Sequence, residues 1–416
     1  MFNPWRGLRG LPSDVWIIFA TSLVNRAGMM ALPFLVLYLT KYQHVSASVA
    51  GLSISAYGIG GMITAPFAGR LCDRIGPFAV MRGSLTLTGL VLLVIPLAHG
   101  FPLILALTFL WAVVADATRP ATMSALTGTT SPEQRKAAIA VNRLAVNLGM
   151  SVGPAVGGLL ATVSFPLLFV VDGLTSLAAA LVLTILLRSR DRAASRTPTD
   201  AQPHAAEAQR ASRGRSSVVW QDRRALSFYF AMLVIGMVFM QNQSSMPLYI
   251  VRDLHYRESF YGLLFVLNTL LIVALEVPLN LAMAHWSHRR ALMLGMLLTA
   301  IGFGAMGLSH GVFAIAVTVV IWTFGEMVTF PVGTAYVADI APPGRNGEYM
   351  GAFSSTISMS MVIGPWAGAA ALDRFGPSLM WSGVFFCGMI ATGVVALSKE
   401  PAAQSVDARI PAESTS

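Results

Sequence analysis

Charge is what this chain has least of. Asp, Glu, Lys and Arg make up 11% of its 416 residues, against about 25% in a soluble domain, so a water-facing surface of ordinary size is excluded. Lysine is nearly absent: Lys41, Lys136 and Lys399 stand against 25 arginines, a bias that points to a GC-rich bacterial genome. The two cysteines, Cys72 and Cys387, exclude a disulfide framework and a C-x-x-C metal pattern, and they read as packing residues. There is no G-x-x-x-x-G-K-[ST] loop to cradle a phosphate, no H-E-x-x-H pair to hold zinc and no G-x-S-x-G turn to present a nucleophile. These absences argue against an enzyme and against a nucleotide-driven pump. No catalytic residue, metal site or cofactor is expected.

What is present is hydrocarbon. Hydrophobic residues make up 55% of the chain and mean hydropathy is +0.67, the composition of a membrane protein. About 20 apolar residues cross ~30 Å of bilayer core, which leaves room for a dozen helices and for no large soluble domain. The first run, Asp14 to Thr40, contains Asn25 and Arg26, exceeds a signal-peptide core in length and lacks a small-residue cleavage site. It reads as a retained helix. Apolar runs predict spans near 14–40, 46–70, 79–98, 101–128, 136–162, 166–187, 224–250, 259–283, 290–309, 311–340, 348–371 and 377–397. One interruption, rich in Ala, Ser, Arg and Pro, has the composition of a linker. The expected organisation is therefore an all-α integral membrane fold: a six-helix bundle over 1–187, a cytoplasmic linker over 188–224, a second six-helix bundle over 225–398 and a cytoplasmic tail over 399–416.

Lys and Arg accumulate in loops that stay in the cytoplasm. The turns after even-numbered helices with the helix ends that flank them, the linker and both termini hold 21 of the 28 basic residues, nine of them within Arg188–Arg224. The opposite side has Lys41, Arg252, Arg257 and Arg374. Both termini are expected in the cytoplasm, with the chain multi-pass in a bacterial inner membrane. The net charge of +9 is then explained by topology and anionic lipid, without a nucleic-acid partner. Trp16, Trp220 and Trp286 fall near span ends, where indoles anchor at the interface.

The chain also repeats itself. A shift of 211 places Pro120 on Pro331, Pro132 on Pro343, Gly153-Pro154 on Gly364-Pro365 and Gly157 on Gly368; a shift of 212 places Pro66 on Pro278 and Gly83 on Gly295. Duplication of a six-helix unit explains a near-constant offset, and internal repeats are characteristic of transporter folds.

Two motifs carry the physical detail. In "GRLCDRIGPF", residues 69–78, Gly69 and Gly76 allow close approach and a tight turn, and Asp73 at a helix end can meet a helix N-terminus, Arg74 or Arg82. An ordinary capped turn with topology-setting arginines is the simpler reading. In "GMSVGPAVGG", Gly149, Gly153 and Gly157 at four-residue spacing let helices pack closely in lipid, while Pro154 removes a backbone hydrogen bond. Gly69, Asp73, Arg74 and Gly76 resemble the G-x-x-x-D-R-x-G-R-K signature of the major facilitator superfamily. Gly149, Gly153, Pro154, Gly157 and Gly158 resemble the G-x-x-x-G-P-x-x-G-G motif of helix 5 in its twelve-helix drug:proton antiporter branch. The resemblance implies a conformational latch at the first motif and a helix 5 packed at the interface between halves. The chain departs from the pattern at Pro77 and Phe78, where two basic residues are usual, at His285, Trp286 and His288 in the second-half copy, and at Thr108, where the antiporter branch commonly has arginine.

Ionisable residues inside spans cost ~2.5–3.5 kcal/mol each at a helix centre and mark candidate sites. They are Arg26, Asp116, Arg119, Arg143, Asp172, Glu276 and Glu326. Asp116 and Arg119, three apart, share a helix face and can neutralise each other; Asp172 reads as a solvated cap near an outer helix end. By resemblance, helices 1, 4, 7 and 10 line the cavity, which implies Asn25, Arg26, Trp111, Arg119, Gln241, Asn242, Gln243, Trp322 and Phe330 as candidate substrate contacts, with Phe324 nearby. Core packing is the alternative for each aromatic. Four acids against three arginines leave one carboxylate over, which suits a proton carrier. Glu326 and Asp116 are the coupling candidates, with Glu326 preferred because no arginine lies within a turn of it; the alternative is a structural pair with Arg26.

The expected function is secondary active transport by alternating access, with proton-coupled efflux of small amphipathic compounds preferred. Import or export of one defined metabolite is the alternative, and a receptor or lipid-moving protein on the same scaffold a second. Expected partners are a small-molecule substrate, a proton or sodium as coupling ion and the bilayer, with the chain a monomer.

Overall fold

The computed structural model describes residues 10–194, 219–342 and 345–398. Among them the chain is helical throughout, without strands. Eleven helices are long and apolar enough to cross a membrane. The last, Asn346–Leu397, is two helices joined at Gly376, whose φ of 76° suits glycine alone. The spans are α1 (Ser13–Tyr42), α2 (Ala47–Ile75), α3 (Pro77–Leu97), α4 (Phe101–Thr129), α5 (Pro132–Val163), α6 (Phe165–Ala194), α7 (Arg223–Asp253), α8 (Glu258–Ala282), α9 (His288–Leu308), α10 (Val312–Ile340), α11 (346–375) and α12 (377–397). α6 continues past Arg188, where the linker was expected to begin, because Arg and Ala are good helix formers. The rest of that linker up to residue 218 and the tail from 399 lie outside the described residues. Twelve crossings return the chain to the face from which it started, here the terminal face; the opposite one is the far face.

The repeat is visible atom by atom. Gly153 of α5 backs onto the Arg26 and Met29 carbonyls of α1, and Gly364 of α11 backs onto Met237 and Met240 of α7, each residue displaced by 211 from its counterpart. Likewise Gly262 of α8 lies on Pro154 of α5, and Gly51 of α2 lies on Pro365 of α11. Helices in lipid gain no hydrophobic drive from pairing, so close van der Waals approach at small residues holds them. The helix 5 motif thus has two faces: Gly149, Gly153 and Gly157 seat α1, while Pro154 and Gly158 seat α8.

α1 and α7 are both broken near their middles. α1 stops at Gly28 and resumes at Ala31, because Pro33 has no amide to donate to the Met29 carbonyl. α7 passes through a 3₁₀ turn at Met240–Gln243 before resuming. Both end in a π turn, Tyr38–Tyr42 and Leu248–Asp253, followed by a histidine with positive φ, His44 at 54° and His255 at 58°.

The far face is sealed. Lys41 pairs with Glu258 at 2.7 Å, the Ser48 amide donates to Asp373 at 2.8 Å, and Arg252 holds the same carboxylate at 2.9 Å. Beneath them the Tyr261 hydroxyl bridges the Pro33 and Asn242 carbonyls. Along α2, close approach to α11 ends with Gly58; Gly69 and Gly76, nearer the terminal face, meet nothing within 4 Å. The close-packing role expected of Gly69 is therefore not met here. Gly76 serves the turn instead, with φ 84°. Asp73 and Arg74 are exposed, and among the described residues Asp73 forms no ion pair.

Candidate functional site

Each half holds a polar chamber of its own. The first lies among α1, α2, α3, α4 and α6, where Asn25, Arg26, Tyr57, Trp111, Asp116 and Asp172 line a cavity of about 40 Å³, room for about one water. Arg26 sits on the last turn before the α1 break; Gly149 leaves it room, and its guanidinium donates to the Met29 sulfur at 2.8 Å. Tyr57 packs edge-on against Trp111, with ring centres 5.0 Å apart, and Asn25 donates to Ser176 at 3.3 Å. The hydroxyl of Thr88, on the same wall, is buried and has no hydrogen-bond partner among the described residues.

Asp172 corrects the expectation of a solvated cap. It is 3% exposed, and one carboxylate oxygen accepts the amides of Met30 and Ala31 at 3.1 and 3.0 Å. A side chain on α6 therefore caps the resumed half of α1. That position could not be read from the sequence, because the break that creates the free amides was not foreseen. Asp116 and Arg119 also differ from expectation. α4 loosens at Asp116, Arg119 is exposed, and among the described residues the two form no ion pair. Asp116 turns toward α2, where Gly61 makes room: a Cβ at Gly61 would overlap the carboxylate. Gly61→Val is expected to displace Asp116 and lower transport several-fold at unchanged expression, measured in reconstituted vesicles; Gly83→Val, where a Cβ meets nothing within 4 Å, should have little effect.

The second chamber lies among α7, α8 and α10. Glu326 accepts from the Asn268 amide at 2.9 Å, and the same amide donates to Thr323 at 3.0 Å. Trp322, Glu326 and Phe330 follow at four-residue intervals, one stripe of α10, with Phe239 edge-on to both rings at 5.9 and 5.1 Å. Phe324 falls on the other side of the helix. Trp322 Nε1 and Asn242 Oδ1, whose residues line one small cavity, and Gln243 Oε1 are buried and have no hydrogen-bond partner among the described residues. Gln241, a candidate contact, is engaged elsewhere: its amide donates to the Met237 and Gly364 carbonyls at 2.8 and 2.9 Å, and its oxygen accepts from Ser244 and Ser245. It pins the α7 break.

The alternative pairing of Glu326 with Arg26 is not formed. Each has a local partner in its own half. Arg143 of α5 is paired with Glu276 of α8, a bridge between halves on the terminal side that sequence reasoning missed. Tyr57 and Asn268 were also missed, although they too are 211 apart and the repeat could have identified them together.

Apolar helices long enough to cross a membrane, arranged as two like halves with polar residues inside the spans, have the architecture of a membrane transporter. The family model of the Major Facilitator Superfamily matches residues 17–256 and 229–410, and the chain belongs to that superfamily. A Bacillus subtilis relative, the uncharacterized MFS-type transporter YqjV, is 27% identical over 379 residues, covering 89% of this chain and 88% of its own. The quinolone resistance protein NorA of Staphylococcus aureus is 26% identical over 159 residues, covering 38% of this chain and 40% of its own. Among solved structures, the nucleoside transporter NupG superposes with a TM-score of 0.75 at 10% identity over 92% of this chain and 99% of its own. A POT family transporter in complex with 5-aminolevulinic acid gives 0.71 at 17% identity over 94% and 96%. At these identities the structures bear on fold alone.

Proposed function

We propose that this transporter exports small amphipathic compounds in exchange for protons, by rocking its two halves about the chambers described above. The carrying observation is Glu326. It is a carboxylate inside the spans whose hydrogen-bond partner, Asn268, is neutral, and among the described residues no cation pairs with it. A buried charge without a counterion is costly, so its neutralisation falls to what enters the cavity, a proton or a cationic substrate. Trp322 and Phe330 on the same stripe supply apolar and π surface beside it. The helix 5 motif and the partial similarity to NorA support efflux over uptake. On this reading the terminal face is cytoplasmic, in keeping with the basic residues there, and residues 1–187 and 225–398 move as two bodies.

The deciding experiment is transport of an amphipathic dye by the reconstituted protein under an imposed pH gradient of either sign. Movement that reverses with the gradient supports exchange; movement indifferent to it refutes proton coupling.

Asp73 supplies a second test. With the far face sealed its carboxylate is exposed and, among the described residues, unpaired, so any latch it makes belongs to the opposite conformation. A latch acts on populations and not on binding contacts. Asp73→Asn is expected to slow turnover several-fold while leaving substrate affinity within twofold; unchanged turnover would leave the capped-turn reading.

A further inference from the structure

The repeat is broken in one informative place. In the first half Asp172 and Phe169 of α6 fill the angle against α1, both buried. Shifted by 211, these positions are Gly383 and Met380 of α12. Gly383 has no side chain to offer, and a Cβ built there meets nothing within 4 Å. The polar task at the helix break has passed to Gln241, on α7 itself, whose amide group is fully hydrogen-bonded.

What remains is a cavity of about 290 Å³ between α7, α11 and α12, with Met237, Gly364, Gly368, Leu379, Gly383 and Cys387 among its walls. Gln241 is its one polar side chain. The mouth opens on the outer flank of α12, where Leu379 is 65% exposed and Phe375 58%, and Cys387 is exposed as well. At 1.5 Å per residue, Cys387 lies about 15 Å along α12 from the far face, so the mouth runs from that face toward the bilayer centre. Water does not stay in an apolar cavity of this kind, and at this depth the surrounding medium is hydrocarbon.

We propose that the cavity holds one acyl chain of a phospholipid from the far leaflet, seated against the break in α7. The wall it touches, Met237 with Gly364 and Gly368, belongs to the α7–α11 contact beneath the sealed far face. The bound chain is therefore a part of that packing.

The test uses the full-length protein in vesicles of phosphatidylcholine doped with an analogue bearing a diazirine in mid-chain. On irradiation, cross-links should be enriched at least fivefold on the α12 peptide containing Leu379–Cys387 relative to exposed Leu87 and Leu90 of α3, and unlabelled phospholipid should compete. Gly383→Phe, which fills the cavity, should remove the enrichment, while labelling of Leu87 and Leu90 stays constant and reports an intact fold. Uniform labelling of all lipid-facing helices, or enrichment unchanged by Gly383→Phe, would overturn the proposal. So would displacement by an amphipathic dye with no competition from lipid, since the occupant would then be a substrate. If Gly383→Phe does not insert, the wild-type enrichment and its competition decide alone.

Discussion

Glu326→Gln is expected to bind substrate with near-normal affinity and to lose gradient-driven transport at least tenfold, down to the rate seen without a pH gradient. Glutamine keeps the shape of the side chain and an oxygen able to accept the Asn268 amide, so the α8–α10 contact survives. What it cannot do is gain or lose a proton. Of the other intramembrane carboxylates, Glu276 pairs with Arg143, Asp172 accepts the Met30 and Ala31 amides, and Asp116 lines the cavity that holds Arg26. Glu326 has a single neutral side chain, Asn268, as its hydrogen-bond partner among the described residues. The measurement is dye accumulation in proteoliposomes with and without the gradient, beside equilibrium binding. Transport still fully driven by the gradient would remove Glu326 from the mechanism, and loss of folded protein would make it a structural residue.

Gly153→Leu and Gly157→Leu are expected to abolish transport and to lower thermal stability sharply. A side chain at 153 runs into the Met29 and Arg26 carbonyls, and one at 157 into Met30 and Phe34. At 153 the obstacle is backbone, which cannot step aside, and at 157 it is the buried Met30 and Phe34 side chains; overpacking of this kind costs about 1–3 kcal/mol. The damage would extend further, since α1 carries Arg26 and the amides that Asp172 caps. Val152 and Val156, 46% and 37% exposed, should accept leucine with little change. Thermal unfolding in detergent and transport in vesicles measure both effects; equal tolerance at all four positions would mean that α5 is not a close-packed interface.

The motif on α5 was legible because its chemistry is local: a glycine at every fourth position means close approach wherever the helix lies. The repeat told still more, since Gly51 and Gly262, or Trp111 and Trp322, take equivalent places once the 211-residue shift is known. The signature at Gly69 was less informative. Its turn was readable from Gly76, but its partners depend on which face of the molecule is closed.

Composition, hydrophobic run length and the internal repeat determined that this protein crosses a membrane twelve times as two like halves, because burial in hydrocarbon constrains every residue of a span independently of its neighbours. Which charges meet was decided by tertiary structure alone. Arg143 and Glu276 are 133 residues apart, and Asp172 finds its partners only where α1 breaks. Gln241, read as a cavity group, pins a turn. A hydrogen bond or ion pair forms at about 3 Å, a distance that helix packing sets and that spacing along the chain does not encode.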